Sequence, residues 1–248
     1  MTMKEDLEKV DVFWTGGMDS TFRVIQLLLT TDYLVQPHYI VRHEHSTGIE
    51  IHIMIILRRM IARKYPHIQS RFLPTIYVNE GLIPEYKDIS DQIENLRKIR
   101  IVTDQYQLMA NYCRKSNITN VEVALVKKAG NEDKLKLFKQ CEAFNKFSYP
   151  IVNLTKKDMF KIAKEQGYYY ILNKTIFCHR PHVKITPCGT CGPCNDAVMQ
   201  GMGFRLPIFP HLKALITVPL RKYWRKNYLN QDDSKFFKLI KKKFEHRF

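Results

Sequence analysis

The chain has 248 residues, of which 45% are hydrophobic and 26% are charged, as in folded globular proteins and unlike disordered ones. Ten glycines and eleven prolines exclude a collagen-like or low-complexity chain. The 40 Lys and Arg residues exceed the 24 Asp and Glu residues by 16, so we expect the surface to attract phosphates, nucleic acid or anionic lipid. The first nine residues are mostly polar and charged, and no apolar run has the length of a membrane span, which indicates a cytoplasmic protein.

Short apolar segments alternate with helical segments along the first 170 residues. The apolar pattern predicts strands at 10–14, 35–41, 75–79, 121–127 and 149–153 and helices at 20–30, 49–65, 88–115, 132–144 and 155–167. β-branched residues collect at 101–103, where we expect a break in the third helix. Thr155 and Asp158 form a capping-box pattern at the start of the last helix, and Gly167 supplies a left-handed stop. The alternation predicts an α/β fold with a Rossmann-like, doubly wound parallel sheet of about five strands.

Two glycines separate the first predicted strand from the first predicted helix. The segment reads Trp14-Thr15-Gly16-Gly17-Met18-Asp19-Ser20-Thr21. Such a turn lets backbone N–H groups and the positive end of a helix converge on an anion, and Ser20 and Thr21 add hydroxyl donors. Asp19 beside a phosphate would need a bridging Mg²⁺, or it would cap the turn. A Walker-type loop is excluded because Gly17 is not followed by Gly-Lys-Ser/Thr. An ordinary glycine turn is the alternative, but the strand–turn–helix context favours a phosphate site.

Four of the six cysteines lie within seventeen residues near the C-terminus. They are Cys178, Cys188, Cys191 and Cys194. Their two-residue spacings, broken by Gly or Pro, let thiolates converge on one ion, and four thiolates suit a structural Zn²⁺. An iron–sulfur cluster accepts the same ligands and is the main alternative. His179 and His182 are expected beside the metal or near phosphate rather than as ligands. Cys113 and Cys141 lie in helical segments and are expected to be small core residues.

The glycine segment resembles the SGGxDS loop of the ATP-pyrophosphatase (PP-loop) superfamily, with Thr15 in place of the first Ser. Together with the Cys…CGxCxxC arrangement and the Leu154-Thr155-Lys156 helix start, it makes residues 9–203 similar to the 7-cyano-7-deazaguanine (preQ0) synthases of queuosine biosynthesis. That resemblance implies an adenine nucleotide alpha hydrolase-like fold that uses ATP, Mg²⁺ and Zn²⁺, and it implies a homodimer. It also implies an ATP-dependent carbon–nitrogen ligase that forms AMP and pyrophosphate. A carboxylate would be adenylated, ammonia would displace AMP, and a second activation would yield a nitrile.

Two stretches of that family have no counterpart in this chain. Residues 100–105 stand in place of the Pro-Gly-Arg-Asn stretch, and residues 128–133 stand in place of the Tyr-Pro-Asp-Cys stretch. The use of ATP therefore transfers, whereas the acceptor stays open between 7-carboxy-7-deazaguanine and another carboxylate. Arg42, Lys127 or Lys128 could steady that carboxylate, although a solvated strand end is the favoured interpretation. A PP-loop enzyme that modifies tRNA and a non-catalytic nucleotide-binding module are the alternative functions.

The sequence divides into three predicted regions. Residues 1–170 form the PP-loop nucleotide-binding domain, 171–210 the zinc-binding segment, and 211–248 a basic amphipathic helical tail. From Leu220 to Phe248 there are ten Lys and Arg residues and three Asp and Glu residues, and Phe236, Ile240, Phe244 and Phe248 recur every fourth residue. This pattern is typical of a helix packed on its own domain or on a second copy, and contact with RNA or an anionic surface is the alternative.

Overall fold

A computed structural model describes residues 7–99, 102–127, 131–182 and 185–228. The chain divides into two compact units, Met1–Phe177 and Cys178–Phe248. Lys128 and the fourfold repeat at 236–248 lie outside the described residues. No helix in the described part of the chain combines the length and the apolar character needed to cross a membrane.

A parallel sheet forms the centre of the first unit. Its five described strands are β1 (Lys9–Phe13), β2 (Leu34–Val41), β3 (Ile76–Asn79), β4 (Val121–Glu122) and β5 (Phe147–Ser148). Their order is β3-β2-β1-β4-β5, and every neighbouring pair is parallel. The chain builds outward from β1 to β3 and then crosses to the other side of β1. The point where the order reverses therefore lies between β1 and β4, and such switch points hold ligands in open α/β sheets. The predicted doubly wound fold is confirmed.

Seven helices accompany the described strands of this unit. They are α1 (Met18–Thr30), α2 (Thr47–Lys64), α3 (Lys87–Ile99), α4 (Asp104–Lys115), α5 (Asn131–Gln140), α6 (Lys156–Glu165) and α7 (Tyr169–Asn173). Short 3₁₀ turns follow at Pro66–Arg71, Glu80–Leu82 and Glu142–Phe144. The predicted break in the third helix is confirmed, because α3 ends at Ile99 and α4 begins at Asp104.

Buried side chains and one largely buried ion pair fix the helices on the sheet. An aromatic cluster that includes Phe13, Tyr112 and Phe147 packs on one face. The Arg23 guanidinium on α1 donates two hydrogen bonds of 2.6 Å to the Glu122 carboxylate on β4. Two charged hydrogen bonds in a fixed fork hold geometry better than one point charge does. Helix α1 is thereby tied across the switch point.

The last two strands differ from their predictions. The fourth ends at Glu122, whereas the prediction extended to residue 127, and the fifth lies earlier in the chain than predicted. It comprises Phe147 and Ser148, whereas residues 149–153 form turns. Pro150 has no N–H to donate to a ladder. The Val152 N–H bonds the Tyr149 carbonyl at 3.3 Å, and the Leu154 N–H bonds the Ile151 carbonyl at 3.0 Å. The apolar residues at 149–153 therefore correctly indicated a partly buried segment, but the predicted position of the strand was wrong.

The second unit contains helices α8 (Gly192–Met199) and α9 (Ile208–Tyr228), joined through a 3₁₀ turn at Gly203–Arg205. Gly189 has a φ of +79°, and a Cβ there would overlap the backbone of Pro210. A Cβ on Gly203 would stand 2.6 Å from Nε2 of His211. The start of α9 therefore packs directly on the cysteine segment at Gly189 and on the 3₁₀ turn at Gly203.

Candidate functional site

The glycine loop follows β1 at the switch point, and its backbone is held from two sides. Gly16 has a φ of +69°, and a Cβ there would lie 3.1 Å from Cγ of Met54 and 3.3 Å from the carbonyl oxygen of Glu50, both on α2. On the other side, the Ile176 N–H donates to the Gly16 carbonyl at 3.2 Å. Glycine is required at position 16 by both the left-handed backbone and the close approach of α2.

Helix α1 begins directly after the loop, so its first turn points at the same edge of the sheet. Ser20 organises this turn: its hydroxyl accepts from the Thr15 N–H at 3.4 Å and donates to the Gly17 carbonyl at 3.4 Å. The first N–H groups of a helix have no acceptor within the helix, and they carry a partial positive charge. The arrangement is suited to an anion with several oxygens.

Three of the eight predicted loop residues place their side chains in the core. Trp14 and Thr21 are fully buried, and Met18 is 2% exposed. The Trp14 indole N–H donates to the Thr21 hydroxyl at 2.9 Å. These side chains therefore support the loop from beneath. Thr15, Gly17 and Asp19 are half-buried at its surface.

A lysine that sequence reasoning did not assign to the site lies against Asp19. Lys156 is the first residue of α6, and its Nζ is 3.3 Å from Oδ1 of Asp19. The predicted capping box of Thr155 and Asp158 is confirmed, with the Asp158 N–H 3.2 Å from the Thr155 hydroxyl and the Thr155 N–H 2.8 Å from the Asp158 carboxylate. Hydrogen bonds from Thr155 lower the pKa of Asp158. A lysine in the first turn of a helix is unfavourable next to the positive end of the helix dipole. That feature of the sequence could have indicated a role for Lys156.

A carboxylate that the sequence did not single out braces the start of α2. Glu50 accepts hydrogen bonds from the Tyr39 hydroxyl at 2.9 Å and from the Ser46 hydroxyl at 2.8 Å. Burial and the neighbouring Glu50 raise the pKa of Tyr39, so this phenol stays protonated and donates. The Glu50 carbonyl oxygen would lie 3.3 Å from a Cβ on Gly16, so this network helps to hold the part of α2 that approaches the glycine loop.

Of the two described cations that the sequence offered for binding a substrate carboxylate, Arg42 is paired with acidic groups and Lys127 is exposed. An Nη atom of Arg42 is 2.7 Å from Glu44, and its Nε is 3.5 Å from Glu80, so two acidic groups already balance its charge. Lys127 is exposed, and its backbone N–H donates to the Leu154 carbonyl at 2.8 Å.

The structure brings together Sγ of Cys178, Cys188, Cys191 and Cys194. All four sulfurs lie within 4.8 Å of one another. The pairs Cys178–Cys191 and Cys188–Cys194 are separated by 3.9 and 4.0 Å. Among the described residues, this candidate metal group contains four cysteines and no histidine.

Backbone N–H groups point at these sulfurs. Sγ of Cys188 accepts from the N–H groups of Thr190 and Cys191 at 3.4 and 3.3 Å, and Sγ of Cys178 accepts from the Cys188 N–H at 3.2 Å. Such donors favour thiolates, the form that binds metal. Cys113 and Cys141 are buried in the core as predicted, and burial raises the pKa of Cys113 to about 12.

The comparison with protein families agrees with the four-cysteine motif. The family model described as queuosine biosynthesis protein QueC matches residues 112–204. Over these residues the chain is QueC-like. The matched region runs from α4 to the 3₁₀ turn after the four cysteines, and the glycine loop precedes it. No curated protein matches the chain in sequence. Among solved structures, "U34-tRNA thiolase NcsA from Methanococcus maripaludis with its [4Fe-4S] cluster" covers 90% of this chain and 74% of its own, at a TM-score of 0.42 and 11% identity.

Proposed function

We propose that this QueC-like chain is an ATP-dependent ligase that activates a substrate carboxylate by adenylation and then couples ammonia to it. The observation that carries the proposal is the glycine loop at the switch point. Gly16 is left-handed there, the N-terminus of α1 points at the same place, and the Lys156 ammonium lies beside Asp19.

The chemistry has to stabilise negative charge on the pyrophosphate that leaves. A substrate carboxylate oxygen bonds to the α-phosphorus of ATP while the bond to the bridging oxygen breaks, which gives an acyl-adenylate and pyrophosphate. Ammonia then attacks the acyl carbon. AMP and a proton depart, and an amide is formed. A second adenylation, on the amide oxygen, releases another pyrophosphate. AMP then leaves with that oxygen, the nitrogen loses both of its protons, and the nitrile forms.

Residues of the loop supply the required positive potential. The N–H groups of the first turn of α1 would face the phosphates, and the Lys156 ammonium, which is 3.3 Å from Oδ1 of Asp19, would move to a phosphate oxygen. Preorganised donors of this kind stabilise charge that develops in the transition state. Asp19, released from Lys156, would then hold the water shell of a Mg²⁺, which neutralises phosphate charge when bound.

The four cysteines fit a single structural zinc ion better than a cluster. With a Zn–S distance of about 2.3 Å, a tetrahedral site separates its sulfurs by about 3.8 Å. The separations of 3.9 and 4.0 Å are close to that value. A four-iron cluster binds each thiolate through a different iron and would hold the sulfurs further apart. Cys178, Cys188, Cys191 and Cys194 would thus anchor the segment on which α9 begins.

An assay with ATP labelled at the α-phosphate tests the reaction. The full chain is incubated with Mg²⁺ and ammonium, with and without 7-carboxy-7-deazaguanine, and AMP and product mass are measured. AMP that forms only with the acid, together with a nitrile product, is the expected result. Absence of AMP from zinc-loaded protein that binds ATP would refute this acceptor, and AMP that appears only with tRNA would favour a tRNA-modifying enzyme.

Variants of the loop test the site separately. Lys156→Gln removes one charged contact to phosphate, so kcat/KM for ATP should fall by about 10- to 100-fold. Asp19→Asn should also lower turnover. Lys157→Gln is the matched control, because Lys157 is the next residue, is exposed and has the same charge. Equal turnover of the two lysine variants would contradict the assignment of Lys156.

A further inference from the structure

Helix α9 has two faces of opposite character within the second unit. One face packs on α8: Ala214 is fully buried, Pro210 is buried, and the Thr217 hydroxyl donates to Oδ1 of Asn195 on α8 at 2.8 Å. The opposite face is apolar and faces solvent. We call it the α9 apolar face, and its members are Ile208, Phe209, Leu212, Leu215, Ile216 and Leu220.

The α9 apolar face exposes large apolar side chains, which are usually buried in folded proteins. Its six side chains are between 49% and 78% exposed. They recur at intervals of three and four residues, so they form one stripe that spans about 18 Å of a helix rising 1.5 Å per residue. Single exposed apolar residues are common on proteins, whereas a continuous apolar stripe of this length marks a binding surface.

The charge of α9 restricts what can cover this stripe. Between Ile208 and Tyr228 the sequence has five Lys and Arg residues and no Asp or Glu. A second copy of the chain would bring the same five cations and no acidic partner from its own α9. A nucleic acid would match the cations, but its phosphates would not cover six large apolar side chains.

We propose that the α9 apolar face binds an anionic phospholipid surface, with α9 lying in the plane of the interface. The apolar side chains would enter the boundary between headgroups and acyl chains, and the net positive charge of the α9 sequence would attract the anionic headgroups. This placement meets both properties of the helix at once. The inference is independent of the ATP chemistry proposed above.

Sedimentation of the full chain with vesicles tests the proposal. We expect the protein to pellet with vesicles of phosphatidylcholine and phosphatidylglycerol, and to pellet less with phosphatidylcholine alone or at high salt. Ile216→Ser and Phe209→Ser should each weaken binding by about tenfold, because each removes a large side chain from lipid. Leu82→Ser is the matched control: Leu82 lies in the first unit and is 66% exposed, as Ile216 is.

Three results would overturn the proposal. The wild-type chain could stay in the supernatant with anionic vesicles. The Ile216→Ser and Leu82→Ser variants could pellet equally. Light scattering without vesicles could show that the wild type is a dimer and that Ile216→Ser is a monomer, in which case the face is an interface between copies. Because both substitutions are at exposed positions, we expect them to keep the wild-type Tm, which circular dichroism checks.

Discussion

The conformation of Gly16 allows a quantitative prediction about the glycine loop. In Gly16→Ala, the new Cβ must accept a φ of +69° and stand 3.1 Å from Met54 and 3.3 Å from the Glu50 carbonyl. The left-handed backbone costs about 1–2 kcal/mol for a residue with a Cβ, and crowding against a backbone oxygen adds to that. We therefore expect a loss of about 2–3 kcal/mol, which lowers Tm by roughly 4–12 °C in a chain of this size.

Gly48→Ala is the matched control for this substitution. Gly48 lies in the first turn of α2, is exposed, and would place a Cβ with no neighbour within 4 Å. Alanine there should raise the stability by about 0.5 kcal/mol, since it reduces the entropy of the unfolded chain. Thermal unfolding of both variants is followed by circular dichroism. An unchanged or higher Tm for Gly16→Ala would refute the proposed geometry of the loop.

Three further predictions concern the core, the metal and the pH. Thr21→Val leaves the buried Trp14 indole N–H without its acceptor, so it should lower the free energy of unfolding, measured with urea, by about 1–3 kcal/mol. Thr21→Ser keeps the acceptor and is the control. Equal losses in the two variants would contradict the hydrogen bond. Cys191→Ser should lose the metal that we propose for the four cysteines and lower Tm, because a structural metal contributes folding free energy; wild-type metal content would refute the ligand set. Burial raises the pKa of Asp11, but hydrogen bonds with His38 and a lysine outweigh this and lower it below 3.8. Its ionised form therefore stabilises the fold above that pH and is lost on acidification, so Asp11→Asn should flatten the fall in stability below pH 4; an unchanged slope would contradict this.

The parallel sheet was predictable because each strand carries its own local signal. The segment that begins with β4 is buried and reads as an apolar run. The glycines, the capping box of Thr155 and the stop at Gly167 are chemical signals within a few residues. Residues 149–153 show the limit of such signals. Their apolar side chains record burial, but the missing N–H of Pro150 and the turn bonds around it moved the strand to Phe147 and Ser148.

The two motifs were also visible in the sequence, since each is contiguous or nearly so. The roles of individual side chains within them were not. Nothing local to Trp14 and Thr21 shows that they bond each other beneath the loop, because their burial is set by what packs around them. The same holds for Glu50, whose hydrogen bonds come from Tyr39 on a neighbouring strand and Ser46 at the start of its helix.

The sequence alone determined the fold class, the position of the glycine loop after the first strand and the four cysteines that lie together, because these depend on periodicity and on residues close together in the chain. Only the tertiary structure decided that Lys156 meets Asp19 across 137 positions, and that Arg42 is already paired with Glu44 and Glu80. It also decided which face of α9 packs on α8. Contacts between distant segments depend on how helices pack on the sheet and on each other, and the local pattern of side chains does not encode that packing.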